Sequence, residues 1–173
     1  MENKLPERKR TRLKDFDYSR GGAYFITICT QDRKRVLSKI VMSNVKSVGW
    51  GLAPTAKIQK TEYGQIVDDE LNNIETRFPQ ATLGDYVIMP NHIHLVLLLD
   101  GGTVGASPHP TVMDVICAFK SLATKKCKEI GLKDKLFQRS FYDRIIRNND
   151  EYMEVCNYIR LNPDNWENDE LYS

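Results

Sequence analysis

The sequence predicts an α+β domain in which helices pack against an antiparallel sheet. Three observations lead there. Runs rich in β-branched and aromatic residues, AYFITICT at 23–30 and the two apolar runs flanking Pro90 and Asn91, read as strands. Apolar residues recur at helical spacing in three other segments, near 65–78, 111–130 and 149–162. In chain order these give strand, helix, hairpin, helix, extended segment, helix. A chain of 173 residues suits one domain over 1–173, with a basic N-terminal arm at 1–20.

Each element has a local cause. The arm carries Arg8, Lys9, Arg10, Arg12 and Lys14, a run that is either a solvated tail or a phosphate-contacting arm. Gly21 and Gly22 let the backbone bend into the first strand. Residues 38–60 are the least patterned; one weak hairpin over Lys39 to Val48 fits, followed by a loop punctuated by Gly49, Gly51 and Pro54. Val67, Leu71, Ile74 and Phe78 place a helix over Gln65 to Phe78, stopped by Pro79. Its Asp68, Asp69 and Glu70 read as a solvated face near the positive end of the helix dipole.

Asp85 to Leu99 reads as strand, tight turn, strand, since Pro and Asn suit the two central turn positions. Residues 100–110, which include His109, form a surface loop. Thr111 with Asp114 starts the second helix, whose stripe of Val112, Val115, Ile116, Phe119, Leu122 and Ala123 runs on until Gly131. Leu136 to Ile146 is a last strand or extended segment. Asn148 caps the third helix with Glu151 three residues on, and Pro163 closes it. Its buried stripe is Tyr152, Val155, Cys156 and Ile159.

Composition bounds the class. The formal charge is +2 with 28% charged residues, so the overall balance favours no partner. Cys29, Cys117, Cys127 and Cys156 form no C-x-x-C pair, and three lie in apolar patterns, as reduced thiols of a cytoplasmic protein do. The N-terminus is charged rather than apolar, unlike a signal peptide. The apolar run Leu95 to Leu99 falls far short of the ~20 residues that span a bilayer, so no membrane partner is expected.

Two constellations carry chemistry. His92 and His94 leave the same strand face, with Ile93 and Leu95 opposite. With a two-residue turn, Met89 faces His92 and Val87 faces His94. Two neutral imidazoles so spaced are either half-buried strand histidines or the ligands of one metal ion. On the third helix Tyr158 and Asn162 are four apart, one above the other at the margin of the apolar stripe. They are either a packing tyrosine and a capping asparagine, or groups leaning over a cleft.

Read together, MPNHIHLV (89–96) and YIRLNP (158–163) resemble the REP-associated tyrosine transposases, single-tyrosine members of the HUH nuclease superfamily. YFITICT (24–30), FKS (119–121) and FYDRIIR (141–147) extend the likeness over nearly the whole chain. Many relatives carry His where this chain has Arg144, and the inserts at 49–54 and 101–110 are longer than that core needs. The resemblance implies a ferredoxin-like αβ sandwich, helices on one face of the sheet and a C-terminal helix carrying the nucleophile. It implies Tyr158 as nucleophile and His92, His94 and Asn162 as ligands of Mg²⁺ or Mn²⁺. The activity implied is metal-dependent cleavage and transfer of single-stranded DNA, one strand at a time, through a 5′-phosphotyrosine. The DNA would carry a hairpin or palindromic repeat, and the protein would act as a monomer or homodimer. Arg10, Arg12, Lys14, Lys120, Arg139 and Arg144 suit a backbone-tracking groove, with Tyr142 or Trp166 placed to stack a base. Two alternatives stay open. One is a domesticated DNA-binding protein that does not cleave. The other is a metal-dependent hydrolase of a small substrate, disfavoured by the absence of a nearby Glu/Asp base and of a third histidine.

Overall fold

The strand β1 (Gly22–Cys29) takes the middle of the sheet because both of its faces are needed for packing. Tyr24, Ile26 and Ile28 are fully buried on one side, while Phe25 and Thr27 look the other way. The computed structural model describes residues 21–42, 56–101 and 110–172. The N-terminal arm with Arg10, Arg12 and Lys14, most of the 101–110 loop with His109, and the 49–54 loop lie outside the described residues.

β1 pairs on one edge with β5 (His92–Leu99) and on the other with β6 (Tyr142–Ile146); β4 (Ala81–Ile88) pairs with β5. All three pairings are antiparallel and the order is β4-β5-β1-β6. The helices α1 (Glu62–Asn72) and α2 (Ile74–Arg77) lie between β1 and β4, and α3 (Val112–Glu129) lies between β5 and β6. This β-α-β-β-α-β arrangement is the ferredoxin-like sandwich. The expected hairpin is present: Met89 N–H donates to the His92 carbonyl at 2.9 Å across Pro90 and Asn91, and Val87 stands opposite His94.

Two cores flank the sheet. On one side Tyr24, Ile26, Ile28, Ile93, Leu95 and Leu97 pack under Val67 and Leu71 of α1 and Val115 and Phe119 of α3. On the other, Val87, Met89 and Val96 pack under Val155, Cys156 and Ile159 of α4 (Asn149–Leu161) and under Trp166. Among the described residues all four cysteines are free, Cys117 being the exposed one. No described helix is long and apolar enough to cross a membrane.

The helix starts have identifiable causes. Thr111 and Asp114 form a reciprocal capping box at α3, and the Asn148 side chain accepts from the Glu151 N–H at 2.8 Å at α4. Gly131 follows α3 at φ +104, a conformation that favours glycine. Three expectations need correction. The first helix begins at Glu62, not Gln65, because Thr61 caps it by accepting from Gly64 N–H; it breaks at Asn73 before the short α2. β2 (Ser38–Met42) has as partner β3 (Ala56–Lys60), a strand not expected from the sequence, in a separate two-stranded sheet, and residues 43–48 of the expected hairpin lie outside the described residues. Glu70 is not on a solvated face: it is 1% exposed and paired with Arg77 at 3.0 Å and Lys126 at 2.5 Å, because α1 lies against α3.

Candidate active site

His92 and His94 stand on the α4 side of the sheet, both buried, with ring centroids 4.5 Å apart. β5 carries them between two partners that hold its register, with Thr27 of β1 opposite His94 and Cys29 opposite His92. Each ring is oriented by a hydrogen bond at its Nδ1. Thr27 Oγ1 lies 2.8 Å from His94 Nδ1, and Asn91 Oδ1 lies 2.8 Å from His92 Nδ1. The Asn91 amide donates through Nδ2 to the Leu171 carbonyl at 2.8 Å, so its other end is the oxygen and only accepts. His92 therefore carries its proton on Nδ1, and Nε2 presents a bare lone pair. That atom is buried and has no hydrogen-bond partner.

Burial lowers the pKa of both rings, His92 to about 4 and His94 to about 3. His92 pushes His94 further down, while the nearby Asp169 carboxylate opposes both shifts without cancelling them. Both imidazoles are thus neutral at pH 7, the state in which they ligate metal.

The helix α4 brings the remaining groups. Its apolar stripe is anchored in the second core, so Tyr158, off that stripe, is 47% exposed and leans over the pair. Its Oη lies 3.4 Å from His94 Nε2, and its ring meets those of His94 and Phe25 edge-on, at 5.2 and 5.9 Å. Burial, then the Asp169 and Glu170 carboxylates, raise its pKa, so it is a neutral phenol at pH 7. Asn162, one turn on, is buried and donates from Nδ2 to Asp169 Oδ2 at 2.7 Å. Its Oδ1 has no hydrogen-bond partner and is the second orphaned acceptor here.

Sequence reasoning missed three groups. Asp169 comes from beyond Pro163, with Oδ2 4.0 Å from His92 Nε2, and one ligand atom each from His92, His94 and Asp169 lie within 4.8 Å of one another. The expected absence of a nearby carboxylate is therefore corrected: Asp169 reaches the histidines because the chain folds back beyond Pro163. Thr27 is found only through strand register, and Asn91 acts as an orienting group as well as a turn residue. The donor set of two neutral imidazoles, a carboxylate and an amide oxygen suits a divalent ion, and the two orphaned acceptors fit one.

The cationic candidates separate. Arg144 of β6 stands opposite Phe25, its guanidinium 5.9 Å from that ring, on the site face. Lys120 and Arg139 belong to the α3 side, where they line a groove with Lys125, Lys128 and Lys135. Lys120 is engaged internally: Nζ donates to the carbonyls of Gln138, Arg139 and Ser140 at 2.7, 3.1 and 3.2 Å. Trp166 is no stacking platform, being 7% exposed and covered by Arg35 and Tyr172. Tyr142, by contrast, is 57% exposed.

Fold and site together define a ferredoxin-like α+β protein with a buried His-His-Asp group beneath a half-exposed tyrosine. No family model matches the chain. An uncharacterised protein of Haemophilus influenzae is 28% identical over 183 residues, covering 97% of this chain and 94% of its own. Among solved structures, a REP-associated tyrosine transposase bound to a REP hairpin superposes at TM-score 0.60 and 21% identity, covering 94% of this chain and 74% of that one. A Deinococcus radiodurans protein superposes at TM-score 0.48 and 18% identity, over 86% of this chain and 95% of its own. At such identities the likeness to the transposase is one of fold.

Proposed function

We propose that the protein cleaves and rejoins single-stranded DNA through a covalent bond to Tyr158, on DNA that carries a hairpin or palindromic repeat. The observation that carries this reading is the half-exposed Tyr158 hydroxyl 3.4 Å from His94 Nε2, above a floor of two neutral imidazoles. A structural tyrosine would not need its hydroxyl over two oriented histidines, one with a bare lone pair.

His92 and His94, with Asn162 or Asp169 as third ligand, would hold the divalent ion. When bound, Mg²⁺ or Mn²⁺ polarises the phosphodiester and offsets negative charge on its oxygens. Tyr158 Oη attacks phosphorus in line, and the bond from phosphorus to the 3′ oxygen breaks. The phenol loses its proton and the 3′ oxygen gains one, leaving a 5′-phosphotyrosine and a free 3′-hydroxyl. The ester keeps the bond energy, so the reverse attack by a 3′-hydroxyl rejoins a strand. Arg144 beside Phe25 and Arg139 in the α3 groove supply positive charge for the DNA backbone, and residues 1–20 with Arg10, Arg12 and Lys14 are proposed as a further phosphate-contacting arm of the same domain.

Asp169 beside His92 favours one second reading, a hydrolase of a small phosphoester in which Tyr158 only packs. The test is incubation with labelled single-stranded DNA from the regions flanking the gene, with Mg²⁺, Mn²⁺ or chelator. The proposal predicts a labelled protein band on a denaturing gel that needs the metal and is lost in His92→Ala and His94→Ala. Metal-dependent hydrolysis of a small nitrophenyl phosphoester, with no protein-bound DNA label, would favour the hydrolase. Full activity in chelator would remove the metal from the mechanism. The third ligand is assigned by Mn²⁺ titration followed by electron paramagnetic resonance: the variant that weakens binding more, Asn162→Ala or Asp169→Ala, marks it.

A further inference from the structure

We propose that the cavity between β6 and α4 seats one unpaired nucleobase of the DNA, next to the phosphate that Tyr158 attacks. The inference rests on the function proposed above and adds a binding subsite to it.

The cavity has a volume of about 450 Å³ and is lined by Phe25, Tyr142, Arg144, Glu154 and Tyr158 among others. That is within the size range of small-ligand pockets and suits a nucleobase with its sugar. Its position follows from strand register. Thr27 stands opposite His94 on one side and opposite Tyr142 on the other, so His94, Thr27 and Tyr142 form one row across the sheet. Strands are ~4.8 Å apart, which puts Tyr142 roughly 10 Å from the histidine along that row. Tyr158 belongs to both places: its hydroxyl meets His94, and its side chain forms one wall of the cavity.

The walls have the chemistry of a base seat. Tyr142 is 57% exposed, on the outermost strand of the sheet, where packing gives no reason for an aromatic ring. Phe25 is already stacked on His94, with ring centroids 5.2 Å apart, so it forms a wall, and the open aromatic face is that of Tyr142, which suits stacking on an unpaired base. The Arg144 guanidinium lies above Phe25 and suits the phosphate of the same nucleotide. Glu154 is exposed and puts an acceptor at the wall. A carboxylate accepts from the exocyclic amine of cytosine, adenine or guanine, whereas thymine offers only its ring N3–H. Stacking therefore admits all four bases, and Glu154 favours those that carry an exocyclic amine.

The experiment uses the full chain carrying Tyr158→Phe, so that bound DNA stays intact. Oligonucleotides from the flanking DNA each carry a single 2-aminopurine, moved position by position, and its fluorescence falls on stacking. Binding is followed in parallel by anisotropy of an end label. The proposal expects strong quenching at one position beside the cleavage point. Adding Tyr142→Ala should abolish that quenching and weaken binding by about 5- to 150-fold, the span of base–aromatic stacking. Tyr142→Phe should restore both. Glu154→Ala, which removes the acceptor, should abolish the preference for amine-bearing bases and leave the quenching in place. Quenching that is equal in the Tyr142→Ala protein, or absent at every position while anisotropy reports binding, overturns the base seat and leaves the cleavage reading intact. If wild type gives no covalent adduct but Tyr142-dependent quenching persists, the seat stands and the cleavage reading fails. Absence of binding to any of the DNA overturns both.

Discussion

At His92 a chain of neighbours decides where the proton sits: the Leu171 carbonyl orients Asn91, and Asn91 holds the proton on Nδ1. Keeping two neutral imidazoles buried has a consequence for stability. Their folded pKa values, about 4 and about 3, lie below the unfolded value of ~6.5. Between those limits the unfolded chain binds protons that the folded chain refuses, so stability is complete above about pH 6.5 and declines as pH falls toward 4 and 3. Thermal melts in chelator from pH 7.5 to 4 should show this loss, and His94→Asn should flatten it relative to wild type. A wild-type melt as flat as that of His94→Asn would mean the rings are not held neutral by burial. At this scale the histidine pair was legible in the sequence, because strand alternation alone puts positions 92 and 94 on one face. Asp169 was not, since no periodicity connects the stretch beyond Pro163 to a strand more than seventy residues earlier.

Among the elements, α3 shows how a cation that reads as DNA-facing is used for architecture. The Lys120 ammonium has three donors, and three consecutive carbonyls, Gln138 to Ser140, accept them. Lys120→Met should cost about 1 kcal/mol of stability, the net worth of a charge-assisted hydrogen bond to the half-buried Gln138 carbonyl, since the Arg139 and Ser140 carbonyls are exposed and pass to water. It should leave the salt dependence of DNA binding unchanged. Denaturant melts and salt titrations of DNA affinity check the two halves, and a lower salt slope with unchanged stability would return Lys120 to the DNA interface. The helices and the central hairpin were legible because their signals are local: a capping box at Thr111, a cap at Asn148, a two-residue turn at Pro90. The β2–β3 pair was not, because Ser38 meets Lys60 across 22 positions of chain that carry no pairing signal. Glu70 was misplaced for a related reason, its partner Lys126 lying on a different helix.

Over the whole molecule, a net charge of +2 conceals how the cations are distributed. Tyr158, Arg144 and the proposed base seat lie on the α4 side of the sheet, and the lysine-lined groove lies on the α3 side. Removing residues 1–14 should weaken DNA binding and lower the salt slope by about 0.7 for each phosphate of the single strand that the arm neutralises. An unchanged slope would make the arm a solvated tail. The central claim is that Tyr158 is the nucleophile, and its most direct test is Tyr158→Phe. The substitution removes one oxygen from a half-exposed ring, so stability should stay within about 0.5 kcal/mol of wild type. On a denaturing gel with labelled single-stranded flanking DNA and Mn²⁺, wild type and the control Tyr152→Phe should give a shifted protein–DNA band. Tyr158→Phe should give neither that band nor cleaved strand while still binding the uncleaved DNA. A shifted band that persists in Tyr158→Phe would contradict the account.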